Sequence, residues 1–240
     1  MLIKSQVKYI QSLGQKKFRD QEGAFVVEGP KMVKELLGAS NLELLYLAGV
    51  ASFREEGIPF MEVKESELGR LSSLSTPNQV LAVFKKPVFT KAVFDDRVTL
   101  VLDGIQDPGN LGTIVRIADW FGIRQVVCSP DSADVFSPKA TQSTMGSISR
   151  VQVMYEDLFA LMGRYPDIPV YAAVLEGKSI YQQSRITSGW IIIGNESKGI
   201  REQLLELSTH PITIPRIGQA ESLNAAVATG IILSHLVGGG

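Results

Sequence analysis

The chain has little of what builds metal sites or disulfides: one cysteine and two histidines in 240 residues. A lone cysteine, Cys128, cannot close a disulfide within the chain or build a multi-cysteine metal site. His210 and His235 are too few for a Cys/His cluster, so no resident metal is expected. Cys128 stands in "QVVCSP" and reads as a small buried hydrophobe at a strand's end. No apolar run approaches the ~18 residues that cross a bilayer. The first twenty residues are mixed and charged, unlike an export leader. A cytoplasmic protein that does not enter membranes is therefore expected. Charge of one sign is also missing: 24 Lys and Arg face 25 Asp and Glu, for a net charge of -1. Any affinity for nucleic acid has to come from a local basic face, not from the total.

What is present divides the chain in two. Lys4, Lys8, Lys16, Lys17 and Arg19 crowd the first twenty residues against one acid, Asp20. Ile3, Val7, Ile10 and Leu13 recur at helical spacing, which predicts one amphipathic helix with a basic side. That side is either a solvated face or a contact for phosphates. Short strands are predicted at 25–27, 42–47 and 58–61 and in "QVLAVFKK", with helices at "KMVKELL" and near "ESELGRL". Residues 1–86 thus form a small α/β unit, and 87–97 read as a linker holding a proline and mixed charge. From residue 98 to 240 the rhythm becomes strand, turn, helix. Strands are predicted at "TLVLDG", "QVVCS", "RVQVM", "VYAAV", "WIIIG" and "PITIP". Such alternation implies a mainly parallel sheet covered on both faces. The three terminal glycines are expected to be disordered.

In open α/β sheets, ligands gather outside the carboxyl ends of the strands. Three turns at such ends carry polar residues. In "DPGNLGTIVR", Asn110 suits a helix N-cap, and Gly112 inside the first turn costs ~1 kcal/mol relative to alanine. That cost points to a close approach there, and Arg116 beside the clearing suits a phosphate as well as plain solvation. In "WIIIGNESKGI", Gly194 ends an apolar strand and Glu196 opens a tight polar loop. The spacing of Lys198 is wrong for a Walker A loop, and the three-glycine dinucleotide turn is missing, which argues against an NAD-dependent oxidoreductase. In "ITIPRIGQAESLNAAVATGIILSHL", Ser222 and Asn224 precede a helix rich in small residues, which Ser222 can cap. Together the turns describe a site for a neutral or cationic nucleotide-like ligand with an arginine beside it.

"NLGTIVRIADWFGI", "IIIGNESKGI" and "IPRIGQAESLNAAVATGI" resemble, in order and spacing, the three signature motifs of the SpoU/TrmH family of RNA 2'-O-ribose methyltransferases, part of the SPOUT class. The likeness spans about residues 97–237, and the first half resembles the small ribosomal-protein-like substrate-binding domain of many members. The resemblance implies an α/β SPOUT domain whose sheet is threaded as a deep trefoil knot. It implies S-adenosylmethionine as cofactor, a homodimer with the site at its interface, and an RNA substrate, ribosomal RNA more than transfer RNA. Asn110, Arg116, Glu196, Ser222 and Asn224 match the family's polar catalytic and RNA-contact positions. Gly194, Ile214 and Leu223 match positions that hold the adenosine by backbone and apolar contacts. Ala226 stands where many members have serine, and Arg216 where many have methionine. A competing reading, an RNA-binding ribosome-assembly protein that kept the fold without the activity, is opposed by retention of the full polar set.

Overall fold

The computed structural model describes residues 3–74, 76–90, 92–94 and 96–237; the terminal glycines lie outside the described residues. Two compact units are present. The first combines Met1–Thr90 with Asp134–Ser149, and the second combines Lys91–Ala133 with Arg150–Gly240.

The first unit begins with α1 (Lys4–Ser12) and α2 (Lys16–Glu22). The expected single helix is broken between them, and Leu13 N donates back to Tyr9 and Ile10 carbonyls to close the first. Then come β1 (Ala24–Glu28), α3 (Pro30–Leu37), β2 (Leu44–Gly49), β3 (Met61–Glu62), α4 (Glu65–Leu71) and β4 (Val80–Lys85). The strands form one sheet in the order β1-β4-β2-β3. Both neighbours of β4 run antiparallel to it, and β3 pairs parallel with β2 over two residues only. Ile10, Leu13, Leu68, Leu71, Leu81 and Val83 are among the residues of its core.

In the second unit β5 (Val98–Asp103), α5 (Pro108–Trp120) and β6 (Gln125–Cys128) come first. The chain next makes α6 (Pro138–Thr144), which belongs to the first unit and packs on β1. It returns for β7 (Gln152–Tyr155), α7 (Leu158–Gly163), β8 (Val170–Ser179), β9 (Gly189–Gly194), α8 (Glu202–Leu205), β10 (His210–Thr213) and α9 (Ala225–Leu236). Six strands pair in the order β10-β8-β9-β5-β6-β7, every pair parallel. Buried β5, β6 and β9 explain the unbroken apolar runs of the sequence, since strands covered on both faces do not alternate. Phe94, in the segment read as a linker, is buried with its ring 5.7 Å from Trp190 and 5.3 Å from Tyr165. Cys128 is buried, and burial pushes its thiol far above the ordinary range.

Candidate active site

From β5 the chain moves outward through β6 to β7; from β9 it moves the other way to β10. The adjacent carboxyl ends of β5 and β9 are thus the topological switch point, where an open α/β sheet leaves a crevice. Register places Asp103 beside Gly194 there. The β5 end leads into α5 and the β9 end into a loop, so both motifs of polar residues start from neighbouring strands.

Helix α5 is started by Asp107, whose side chain accepts from Asn110 N at 2.9 Å, and by Pro108 in its first turn. Asn110 is therefore not the cap, and its side chain is left free for another partner. Asn110 Nδ2 donates to Glu196 Oε1 at 2.6 Å, and Asn224 Nδ2 donates to Asn110 Oδ1 at 2.9 Å. Asn224 Oδ1 in turn accepts from the amides of Ala226 and Val227, so Asn224, not Ser222, caps α9. Three residues that are 86 and 114 positions apart thus form one relay, from a carboxylate through two amides to a helix N-terminus.

The Glu196 loop is closed on itself. Asn195 and Gly199 exchange backbone hydrogen bonds at 3.0 and 2.9 Å. A Cβ on Gly194 would lie 2.5 Å from Ile200 N and 2.6 Å from Gly199 O, so the close approach that calls for glycine is the loop's own backbone. Asn195 Nδ2 donates to Gly104 O at 2.7 Å. Asp103, 1% exposed, accepts from Arg201 N at 2.7 Å and from Arg201 Nε at 2.6 Å. The Asp103 carboxylate raises the Arg201 guanidinium above its ordinary range, and Asp131 adds a contact at 3.4 Å.

Between β10 and α9, residues 215–223 are exposed. Among the described residues, none of their backbone groups bonds another backbone group outside regular elements, although Ala220 O accepts from Arg216 Nη1 at 3.2 Å. Ile214 is half-buried and Leu223 is 45% exposed. Open amides and carbonyls flanked by apolar side chains suit an adenosine, which offers a base edge and a flat apolar face.

The profile of the SpoU rRNA methylase family matches residues 97–234, more than half of the chain. The chain belongs to this family. A profile for an MRM3-like substrate binding domain covers residues 4–82. The 23S rRNA (guanosine(2553)-2'-O)-methyltransferase RlmP of Bacillus subtilis is 33% identical, over 97% of this chain and 96% of its own. A TrmH-family protein from Porphyromonas gingivalis superposes with a TM-score of 0.86 at 39% identity, covering 98% of each chain. An AdoMet-bound rRNA methyltransferase from Sinorhizobium meliloti gives 0.85 at 27% identity, over 98% and 95%. The fold is thus that of the SPOUT methyltransferases, preceded by a substrate-binding domain.

Within the SpoU pattern, the structure joins one residue from each motif: Asn110, Glu196 and Asn224. Gly194 precedes Glu196 by two residues, and Ile214 and Leu223 stand at the two ends of the exposed loop. Arg116 and Ser222 are exposed and form no side-chain hydrogen bond or ion pair among the described residues. Arg116 follows Asn110 by six residues, about 9 Å along the helix axis. Gly112 is buried, so it serves packing within the chain and does not open the surface beside Arg116. Ala226 is buried in the first turn of α9, and Arg216 is held within its own loop. Sequence reasoning missed Asp103, Asn195 and Arg201, though an acid ending an otherwise apolar strand in "VLDG" was a usable signal. Among the described residues no helix is long and apolar enough to cross a membrane, and no cluster of metal ligands is found.

Proposed function

We propose that this chain methylates a ribose 2'-oxygen in ribosomal RNA, with S-adenosylmethionine as the methyl source. The relay Glu196–Asn110–Asn224 at the switch point carries this reading, because it joins all three SpoU motifs in one hydrogen-bonded group. S-adenosylmethionine, when bound, supplies an electrophilic methyl on a sulfonium sulfur. Ile214, Leu223 and the open backbone of residues 215–223 would hold it, with Gly194 beside them.

The chain's own task is to make a ribose hydroxyl nucleophilic and to aim it. A hydroxyl is a weak acid, so charge developing on its oxygen has to be met. Arg116, exposed and without an acidic partner among the described residues, offers a two-pronged cation to a backbone phosphate and to that oxygen. A guanidinium offers donors and no acceptor, so Arg116 acts as clamp and charge stabiliser, not as base. Among the described residues Glu196 Oε2 accepts no hydrogen bond, which leaves a carboxylate oxygen for the hydroxyl proton, and Asn110 and Asn224 hold that carboxylate in place. Ser222, at the end of the cofactor loop, contacts the substrate side.

The same reading includes a trefoil knot, two copies per active molecule, a cytoplasmic location and RNA binding by residues 1–86. Support for the knot lies at β10. Its first half pairs with Tyr171 and Ala172 and its second with Lys178 and Ser179, so residues 173–177 leave the ladder where β10 passes. Gly177 has no room for a Cβ beside Ile212, and Ile186 N donates to Leu236 O at the end of α9. For the pairing of copies, Trp120 on α5 is 85% exposed and Val227 on α9 is 53% exposed, on helices that pack together.

Arg116→Ala tests the assignment. Transfer of a tritiated methyl to ribosomal RNA should fall by roughly 10²-fold or more, the cost of losing a charge stabiliser. Cofactor affinity by calorimetry should hold. Equal loss of both would sink the role of Arg116. A wild-type protein that binds RNA but transfers no methyl would favour the assembly-protein reading, and ribose-methylation mapping in a deletion strain would then show no lost site.

A further inference from the structure

The Glu196 loop has a fixed shape but needs a fixed placement. Its shape is internal: the exchange between Asn195 and Gly199, and Asn195 Oδ1 accepting from Ser197 N at 2.9 Å and Lys198 N at 3.0 Å. None of these contacts decides how the closed loop sits against β5, whose continuation carries Asn110. Two anchors do. At the loop's start, Asn195 Nδ2 holds Gly104 O, and Gly104 N is itself held by Ser129 Oγ at 2.8 Å. At its end, Arg201 grips Asp103 with both its backbone N–H and its guanidinium. Asp131 touches the outer side of the same guanidinium.

We propose that Asp103 and Arg201 are positioning residues that set the closed loop so that Glu196 meets Asn110. The proposal rests on the reading of Glu196 and Asn110 as parts of the methyl-transfer site. Burying a carboxylate at a strand end is costly, and an apolar pair of equal volume generally stabilises a fold at least as well. An apolar pair has no direction, however. One buried carboxylate that binds both the main chain and the side chain of Arg201 fixes the orientation of the loop's exit. With only the Asn195 anchor, a loop closed on itself would pivot about its entry and carry Glu196 off Asn110. The clamp is placed at the loop's other end, next to Ile200, which is buried in the core but sets no direction for the loop.

The test uses the full chain labelled with ¹⁵N at asparagine side chains, plus steady-state methyl transfer. In Arg201→Gln, the Asn110 side-chain amide signal should move, as it should in Glu196→Gln. The Asn41 signal, whose amide donates to Ser149 O in the other unit, should stay. The kcat should drop about tenfold or more, as misplacement of a reacting group predicts, with KM for RNA unchanged. Arg201→Lys should recover part of it, and Arg201→Gln should add little to Glu196→Gln. An Asn110 signal that ignores Arg201→Gln, or a kcat loss that multiplies in full on Glu196→Gln, overturns the proposal. Should Arg201→Gln not fold, Arg201→Lys carries the same comparison on the Asn110 signal. The amide signal needs no turnover, so a wild type without methyltransferase activity would defeat the functional reading while leaving this test in force.

Discussion

Asn110 works because an amide has two faces. Its NH2 donates to a carboxylate while its oxygen accepts from a second amide, and neither aspartate nor leucine can do both. The same local logic separates two basic residues that look alike in the sequence. Lys17 is exposed on α2, while Arg19 is 3% exposed and pairs with Asp134 at 2.7 Å. Arg19 Nη1 also donates to Leu13 O at 2.8 Å, across the break between α1 and α2. Arg19 therefore leaves the basic face and joins the interior of the first unit. Arg19→Ala strands the Asp134 carboxylate and should cost about 3–5 kcal/mol. Urea denaturation followed by circular dichroism measures it. Lys17→Glu should leave that midpoint within about 0.5 kcal/mol, as surface substitutions do. A small loss for Arg19→Ala would mean that the pair is not the tie it looks to be.

At the scale of elements, glycine and caps decide where strands become loops. Gly194→Ala drives a Cβ into the backbone of Gly199 and Ile200, which cannot give way as a flexible side chain would. Overpacking of this kind costs about 1–3 kcal/mol, and opening the loop should also weaken cofactor binding by calorimetry. Gly218→Ala, with open space around it, is the control and should melt with the wild type. In the second unit β5, β6 and β9 were the most legible, because buried parallel strands write themselves as apolar runs. The division of the first helical stretch was not legible, since the apolar spacing stops at Leu13 and nothing in it marks the extended Gln15 that separates α1 from α2. The cap of α5 was misplaced by three residues, although Pro108 marks the first turn and so points to Asp107. Asn110, Glu196 and Asn224 were legible through their motifs. The Asp103–Arg201 clamp was not, because it joins positions 98 apart and, although Asp103 stands out as an acid ending an apolar strand, nothing in its own segment points to Arg201.

Over the whole molecule, the chain leaves one unit to complete the other. Asp134–Ser149 comes from between two strands of the parallel sheet yet packs with the first unit, where Phe136 meets Phe25 at 5.1 Å and Asn41 holds Ser149 O. The first unit is therefore complete only once the chain has passed through β6. The second unit, for its part, shows water an indole that is 85% exposed on α5 and an isopropyl group on α9. Large aromatic side chains left open are costly to hydrate and are the usual anchors of subunit interfaces. A symmetric pair would bury the same patch from both copies. Trp120→Glu places a charge in that patch, so the variant should elute as a monomer in light-scattering chromatography, whereas the wild type is expected at twice the chain mass. Its circular dichroism should be unchanged, because the residue is on the surface of the single chain. Methyl transfer should fall with the loss of pairing and return in part when protein concentration is raised. A wild type that is already monomeric would overturn the pairing, and a Trp120→Glu variant that still pairs would place the interface elsewhere.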